Sequence, residues 1–344
     1  MAGTPQHLAV RVLEELERMI LGKPAGRLDL DEAIEHISGG GRPLSARAAA
    51  KVAKVLALVA PEACMNRLEN PTFVISAGQT GTTWLERYLH QHRDLAVYVS
   101  EANELWHPNH YPAAVKMPNV QEISNPRYFS RESYQCRNDK SFEHVQAVFG
   151  AYQALLDKPV FVNKATLICF LLPEIARAFP SARFIHLVRD GRAVALSKAK
   201  KHLAKRRHQS TWLGSNRFRF LRRRYNSTDF SPDLDGALLA EELAETSAYW
   251  VDAVKEVRDQ VGRLELASRG AFLELRYEDI CGSPDQSLEE LFEFIGVDPR
   301  RVIEAPDVER PVSRNRKVLS ELPVEDYQKL TDRMRPGLDL FGYS

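Results

Sequence analysis

Apolar residues recur at helical spacing near the start of the chain: Ala9, Val12, Leu13, Leu16, Met19 and Ile20, with Glu14, Glu15, Glu17 and Arg18 between them. That period places one apolar stripe on an amphipathic helix. A glycine-rich break follows at Ser38-Gly39-Gly40-Gly41-Arg42-Pro43. Ser45 predicts an N-cap, and the run through Ala48-Ala49-Ala50 predicts a second helix reaching about Ala60, ended by Pro61. The pattern changes at Pro71. Thr72-Phe73-Val74-Ile75-Ser76 is short, β-branched and aromatic, as expected of a buried strand. Similar runs recur at 95–99, 159–163, 183–188 and 271–276, with helical stretches between most of them. This alternation predicts an α/β fold, a largely parallel central sheet flanked by helices on both faces. Ser283 and Gln286 spell a capping box, with Pro284 at the first helical position and Gly296 closing the helix.

Composition narrows the class. In 344 residues, 44% hydrophobic and 27% charged is the balance of a globular protein and excludes a disordered or collagen-like chain. Lys and Arg number 47 against 46 Asp and Glu, a net charge of +1. There is no global pull toward nucleic acid or anionic lipid, so an anion site must be built locally. The four cysteines, Cys64, Cys136, Cys169 and Cys281, form no CxxC pair and fit neither a zinc site nor a disulfide framework. No apolar run approaches the roughly 18 residues of a membrane span. The N-terminal residues lack the apolar core of a signal peptide. These features lead to the expectation of a reduced, cytoplasmic setting.

The most informative run is Ser76-Ala77-Gly78-Gln79-Thr80-Gly81-Thr82-Thr83-Trp84-Leu85. A strand enters a turn with two glycines and three threonines, and a helix follows. Glycine permits a strained turn and close ligand approach. The first N–H groups of a helix lack intrahelical partners and sit at the positive end of its dipole. The arrangement suits an anion such as phosphate, although a plain tight turn would use the same residues. It is not a Walker A loop, because only two residues separate the glycines and no Lys follows. A second strand, Phe184 to Val188, delivers Arg189-Asp190-Gly191-Arg192-Ala193 to its C-terminal end, where open α/β sheets bind ligands. The Arg189 fork suits phosphate, and Ser197 lies two helical turns further on. An Arg–Asp ion pair would read the same way in sequence.

Together these motifs resemble those of sulfotransferases that use 3′-phosphoadenosine 5′-phosphosulfate. In that family a strand–loop–helix of the form [RK]-S-G-T-T grips the 5′-phosphosulfate, and Gln79-Thr80-Gly81-Thr82-Thr83 stands in its place. A later R-D-x-R-A-x-x-x-S grips the 3′-phosphate, and Arg189 through Ser197 matches every fixed position. Asn163-Lys164 resembles an N-K element of the tyrosylprotein and carbohydrate branches. Arg276-Tyr277-Glu278-Asp279-Ile280 resembles the family's R-Y-E-D-L segment. The resemblance implies a P-loop-like sheet over 71–344 and leaves 1–70 as a helical N-terminal extension. It implies 3′-phosphoadenosine 5′-phosphosulfate as co-substrate, bound by Gly78, Gln79, Thr80, Gly81, Thr82, Thr83, Arg189, Ser197 and Tyr277.

One departure matters. The family usually has Lys or Arg where Gln79 stands, and Gln donates hydrogen bonds without charge. Lys164 is the expected compensating cation. The tract 198–224, with eleven Lys or Arg, either folds over the donor or is a solvated basic surface. Ser313-Arg314-Asn315-Arg316-Lys317 falls where the family closes a loop over the nucleotide. The relatives nearest by motif place a Glu after the second strand, which implies Glu101 as base, with Glu104 as its alternative and His107, His110 and His144 behind them. Trp106, Tyr111, Tyr128 and Phe129 belong either to an acceptor pocket or to the core. The implied reaction is sulfuryl transfer to a small-molecule acceptor. A non-catalytic nucleotide-binding relative and a small-molecule kinase are the competing readings. The N-terminal helices have three roles open: a homodimer interface, a lid, or part of the acceptor pocket.

Overall fold

The computed structural model describes residues 30–38, 44–106, 139–166, 168–209, 236–303 and 309–343. The apolar stripe at 9–20 lies outside them, as do His107, His110, Tyr111, Tyr128, Phe129 and Cys136.

Five strands build one parallel sheet: β1 (Thr72–Ile75), β2 (Leu95–Val97), β3 (Val160–Lys164), β4 (Arg183–Val188) and β5 (Phe272–Arg276), in the order β2-β3-β1-β4-β5. The period-2 pattern explains why both faces are covered. Phe73 and Ile75 of β1, Phe161 of β3 and Phe184 and Val188 of β4 enter one apolar cluster. Val74, Val160, Val162, Ile185 and Leu187, the residues between, enter the other. On the second face lie α4 (Thr82–Leu89), through Leu85 and Leu89, and α11 (Pro284–Ile295), through Leu288, Leu291, Phe292 and Ile295.

The first face is the larger. It takes α1 (Leu30–Ser38), α2 (Ala46–Val59), α3 (Pro61–Met65), α6 (Asp139–Leu156), α7 (Leu172–Ala178), α8 (Gly191–Gln209), α9 (Gly236–Arg263) and α13 (Val324–Leu338). Short helices α5 (Asn103–Trp106), α10 (Tyr277–Gly282) and α12 (Asn315–Leu319) complete the order. Ser45 caps α2 as expected, its hydroxyl accepting from the Ala48 N–H at 3.4 Å. The described part of the N-terminal extension is not an appendage: Ala49, Ala53, Leu56 and Cys64 are buried in the same cluster as Phe73 and Phe149. Trp106 is fully buried there too, its indole N–H on the Asn163 Oδ1 at 2.9 Å. Of its two readings, it takes the core one. No described helix is long and apolar enough to cross a membrane.

The capping box at Ser283 does not form. Ser283 already closes α10, its N–H donating to the Asp279 carbonyl at 2.7 Å, and at φ −136°, ψ 66° its side chain caps nothing. Pro284 and the left-handed Gly296 (φ 87°) bound α11 as expected.

At Gly150, α6 meets α3 backbone to backbone. A Cβ there would stand 1.9 Å from the Cys64 carbonyl oxygen. Overpacking costs about 1–3 kcal/mol, and a collision with main chain belongs at the upper end. Gly150→Ala is expected to lower Tm by about 4 °C in thermal unfolding. An unchanged Tm would show that the two helices part freely.

Candidate active site

Parallel pairing brings the C-terminal ends of the strands to one edge of the sheet. Val74 is in register with Lys164 on one side and Ile185 on the other. The loop after β1, the end of β3 and the Arg189 turn after β4 therefore converge, although 25 to more than 100 residues separate them in sequence. This is the crevice where such sheets bind ligands.

The loop after β1 is held in an unusual backbone. Gly78 (φ 78°), Gln79 (φ 56°) and Gly81 (φ 93°) are all left-handed. For Gln79 that conformation costs on the order of 1 kcal/mol or more, a strain typical of ligand-holding loops. Ser76 Oγ accepts from the Gly78 N–H at 3.0 Å. A Cβ on Gly81 would lie 2.7 Å from the Tyr277 ring, so glycine is required there. Gly81 leads α4 with no side-chain cap. The Thr80 hydroxyl is buried and has no hydrogen-bond partner among the described residues. A buried orphan donor beside a left-handed loop and an uncapped helix start fits a phosphate or sulfonate group, whose oxygens would satisfy it.

Arg189 ties the second motif to the first. Its Nη1 donates to the Gln79 carbonyl and its Nε to the Asn315 Oδ1, both at 2.8 Å. The guanidinium stacks 4.7 Å above the Tyr277 ring. Burial pulls its pKa down, against the opposing pull of Tyr277, Glu278 and Asp190. Asp190 is not its ion-pair partner. That carboxylate takes Arg192 at two points, 3.0 Å and 2.8 Å, while Arg192 also donates to the Tyr327 hydroxyl. The second arginine of the motif is thus a brace, and the first is left for the loop. Tyr277 is fixed by its hydroxyl on the Val312 carbonyl at 3.1 Å. Glu278 gathers the Asp190 N–H, Asn315 and Tyr343. Ser197 reaches the Gln79 Oε1 at 3.4 Å.

The end of β3 carries a different cluster. Glu101 accepts from Lys164 on Oε1 at 3.0 Å and from the Thr166 hydroxyl on Oε2 at 2.7 Å. Lys164 also pairs with Glu86 at 3.0 Å. Burial opposes its charge, but the two carboxylates prevail and raise its pKa. Lys164 therefore faces two anions. Two cations from α8 complete the neighbourhood. Lys198 is buried, lies 3.7 Å over the Tyr249 ring and approaches the Ala77 carbonyl at 3.4 Å. Burial lowers the pKa of Lys201, with Glu101 raising it and Lys164 lowering it further. Glu104 lies in α5 with its side chain outside the described residues, and His144 is buried on α6.

Asn315, Lys198 and Thr166 were not singled out as site residues in sequence. Lys198 stood only as one member of a basic tract. Its position next to Ser197, facing the loop, was the available signal. Thr166 follows Lys164 by two residues, but nothing local marks its hydroxyl.

The loop after β1, Arg189 and the Glu101–Lys164 pair thus stand at one edge of the parallel sheet. The model of the sulfotransferase family matches residues 71–300, two thirds of the chain, and the protein belongs to that family. No curated protein matches it. Among solved structures, it is similar to the sulfotransferase STF9 of Mycobacterium avium at 14% identity, covering 100% of this chain and 98% of that one, with a TM-score of 0.48. The sulfotransferase domain of the Synechococcus olefin synthase aligns at 18% identity over 81% of this chain and 96% of that one, TM-score 0.47. Mouse SULT7A1 complexed with PAP aligns at 14% identity over 82% and 93%, TM-score 0.41.

Proposed function

We infer that the protein moves the sulfuryl group of 3′-phosphoadenosine 5′-phosphosulfate onto a hydroxyl, or a similar nucleophile, of a small-molecule acceptor, within a domain spanning 71–344. The observation that carries this reading is the Arg189–Gln79 bond, which joins the two anion-binding motifs into one site. Gly78 to Thr83 offer backbone and hydroxyl donors to the 5′-phosphosulfate. Arg189 and Ser197 face the 3′-phosphate, with Tyr277 packed against the arginine. Glu101 accepts the acceptor's proton. Its two oxygens accept from Lys164 and from Thr166, which orients the carboxylate. The acceptor oxygen attacks sulfur in line, the S–O bond to the nucleotide breaks, and 3′-phosphoadenosine 5′-phosphate leaves. Catalysis is then positioning and charge stabilisation.

The charge that Gln79 lacks is better supplied by Lys198 than by Lys164, whose ammonium is already held between Glu86 and Glu101. Lys198→Gln is expected to lower kcat on the order of 10²-fold, as loss of one transition-state donor does. Gln79→Lys is expected to change kcat by less than about tenfold by the same measure. Steady-state kinetics on the two variants decide it, and the reverse ranking would return the role to position 79.

The reading itself is tested by incubating the protein with the sulfated nucleotide and a panel of phenols, alcohols and amines, and following release of 3′-phosphoadenosine 5′-phosphate. Release that depends on an acceptor is expected. Nucleotide binding without release under any acceptor would favour the non-catalytic relative. Phosphorylation from ATP instead would establish the kinase.

A further inference from the structure

We propose that Tyr343 is a positioning residue of the donor site: through Glu278 and Asn315, its hydroxyl fixes the plane in which Arg189 presents its guanidinium to the 3′-phosphate. This deepens the sulfuryl-transfer reading and rests on it. The chain reaches the site by a short return. After α13, a tight turn at Asp339–Phe341 ends on Gly342, left-handed at φ 65°, where glycine lets the chain double back. The Tyr343 N–H then donates to the Leu338 carbonyl at 3.1 Å. Phe341 packs against His186 and Trp250, with ring centroids 6.2 and 6.3 Å away. Tyr343 is buried beside it in the larger apolar cluster. Packing therefore sets the direction of the Tyr343 ring, and the Arg276 guanidinium covers its face at 4.6 Å.

The ring delivers one hydrogen bond. Its hydroxyl donates to the Glu278 Oε2 at 2.8 Å. Burial and the Glu278 carboxylate push the phenol's pKa up, so the group stays protonated and remains a donor. The other oxygen, Oε1, accepts from the Asp190 N–H at 3.1 Å and from the Asn315 side-chain amide. That amide has one donor end and one acceptor end. With its Nδ2 on Glu278, its Oδ1 is turned to Arg189 and accepts from the Nε at 2.8 Å. The Nη1 of the same guanidinium is held by the Gln79 carbonyl. Two bonds to different nitrogens fix a planar group. A guanidinium grips phosphate through two parallel hydrogen bonds, so a tilt of its plane forfeits one of them. Glu278 is only half-buried. Without the Tyr343 hydroxyl its Oε2 turns to water, and the oxygen that orients Asn315 is no longer held in place.

The test compares two nucleotides by calorimetry on the full chain: 3′-phosphoadenosine 5′-phosphate, and adenosine 5′-phosphate, which lacks the 3′-phosphate. Tyr343→Phe removes the hydroxyl and keeps the ring. It is expected to weaken the bisphosphate about tenfold and adenosine 5′-phosphate by less than about threefold. In an Asn315→Ala background the same substitution is expected to cost the bisphosphate less than about twofold, because the relay is already cut. Equal weakening of the two nucleotides, no weakening of either, or the full loss in the Asn315→Ala background overturns the proposal. Amide hydrogen exchange on the free protein gives a readout that uses no nucleotide. The Asp190 N–H, which Glu278 accepts, is expected to exchange at least about fivefold faster in Tyr343→Phe. Unchanged exchange also overturns the proposal. Failure of the wild type to bind either nucleotide is a separate result. It removes the sulfuryl-transfer reading, and the exchange at Asp190 still decides whether Tyr343 holds Glu278.

Discussion

Replacing Arg189 with alanine is expected to weaken binding of 3′-phosphoadenosine 5′-phosphate on the order of 10²–10³-fold. Removing one partner from a buried, hydrogen-bonded charge contact costs about 2–5 kcal/mol, and each 1.4 kcal/mol is roughly a factor of ten. Two losses coincide here. The phosphate loses a fork that donates parallel hydrogen bonds. The Gln79 carbonyl also loses the 2.8 Å donor that helps to hold the left-handed loop. Both anion sites should therefore weaken together. Arg189→Lys keeps the charge but not the fork, and should recover part of the affinity. ATP has no 3′-phosphate and should lose much less than the bisphosphate. Calorimetric titration of wild type and both variants, with circular dichroism to verify folding, separates these effects. Undiminished binding in the alanine variant would show that Arg189 braces the fold and touches no phosphate.

How much of this was legible in the sequence depended on how local each cause is. The strands were readable because burial on both faces demands continuous apolar runs, and all five appear within two residues of their expected bounds. The Ser45 cap was readable because one hydroxyl and one N–H three residues later decide it. Ser283 shows the limit. Its sequence signature is local, but the residue already ends the helix before it, and two helices compete for one backbone geometry. The convergence of Gln79 with Arg189 was suggested by motif order. The clamp of Asn315, Glu278 and Tyr343 around it was not, because those contacts join segments 37 to 126 residues apart. The partner of Asp190 was misleading for a similar reason. Two arginines flank it in sequence, and only helix geometry directs Arg192 rather than Arg189 onto its carboxylate. The buried Lys198 was hidden in a basic tract whose charges look alike until α8 turns it toward Ala77 and Tyr249.

Glu101→Gln is expected to lower kcat by about 10²–10⁴-fold, the usual worth of a positioned base, with little change in affinity for the nucleotide. The geometry favours this carboxylate. Lys164 and Thr166 each donate to one of its oxygens, which fixes its orientation. The amide is nearly the same shape and still accepts from one of these donors, so a collapse of the site is not the expected cause of the loss. It cannot take the acceptor's proton. A longer-range readout distinguishes the base from a merely structural anion. With the base removed, the acid limb of the kcat–pH profile should disappear, because that limb reports its titration in the bound complex. Glu101→Asp retains the carboxylate on a shorter stem and should restore part of the rate with the limb intact. Lys164→Met makes the complementary change, leaving Glu101 and Glu86 without the ammonium between them, and should move the limb rather than erase it. If Glu101→Gln keeps kcat within about threefold, far short of what a positioned base contributes, the proton goes elsewhere. Glu104→Gln, made alongside, then shows whether the neighbouring carboxylate receives it.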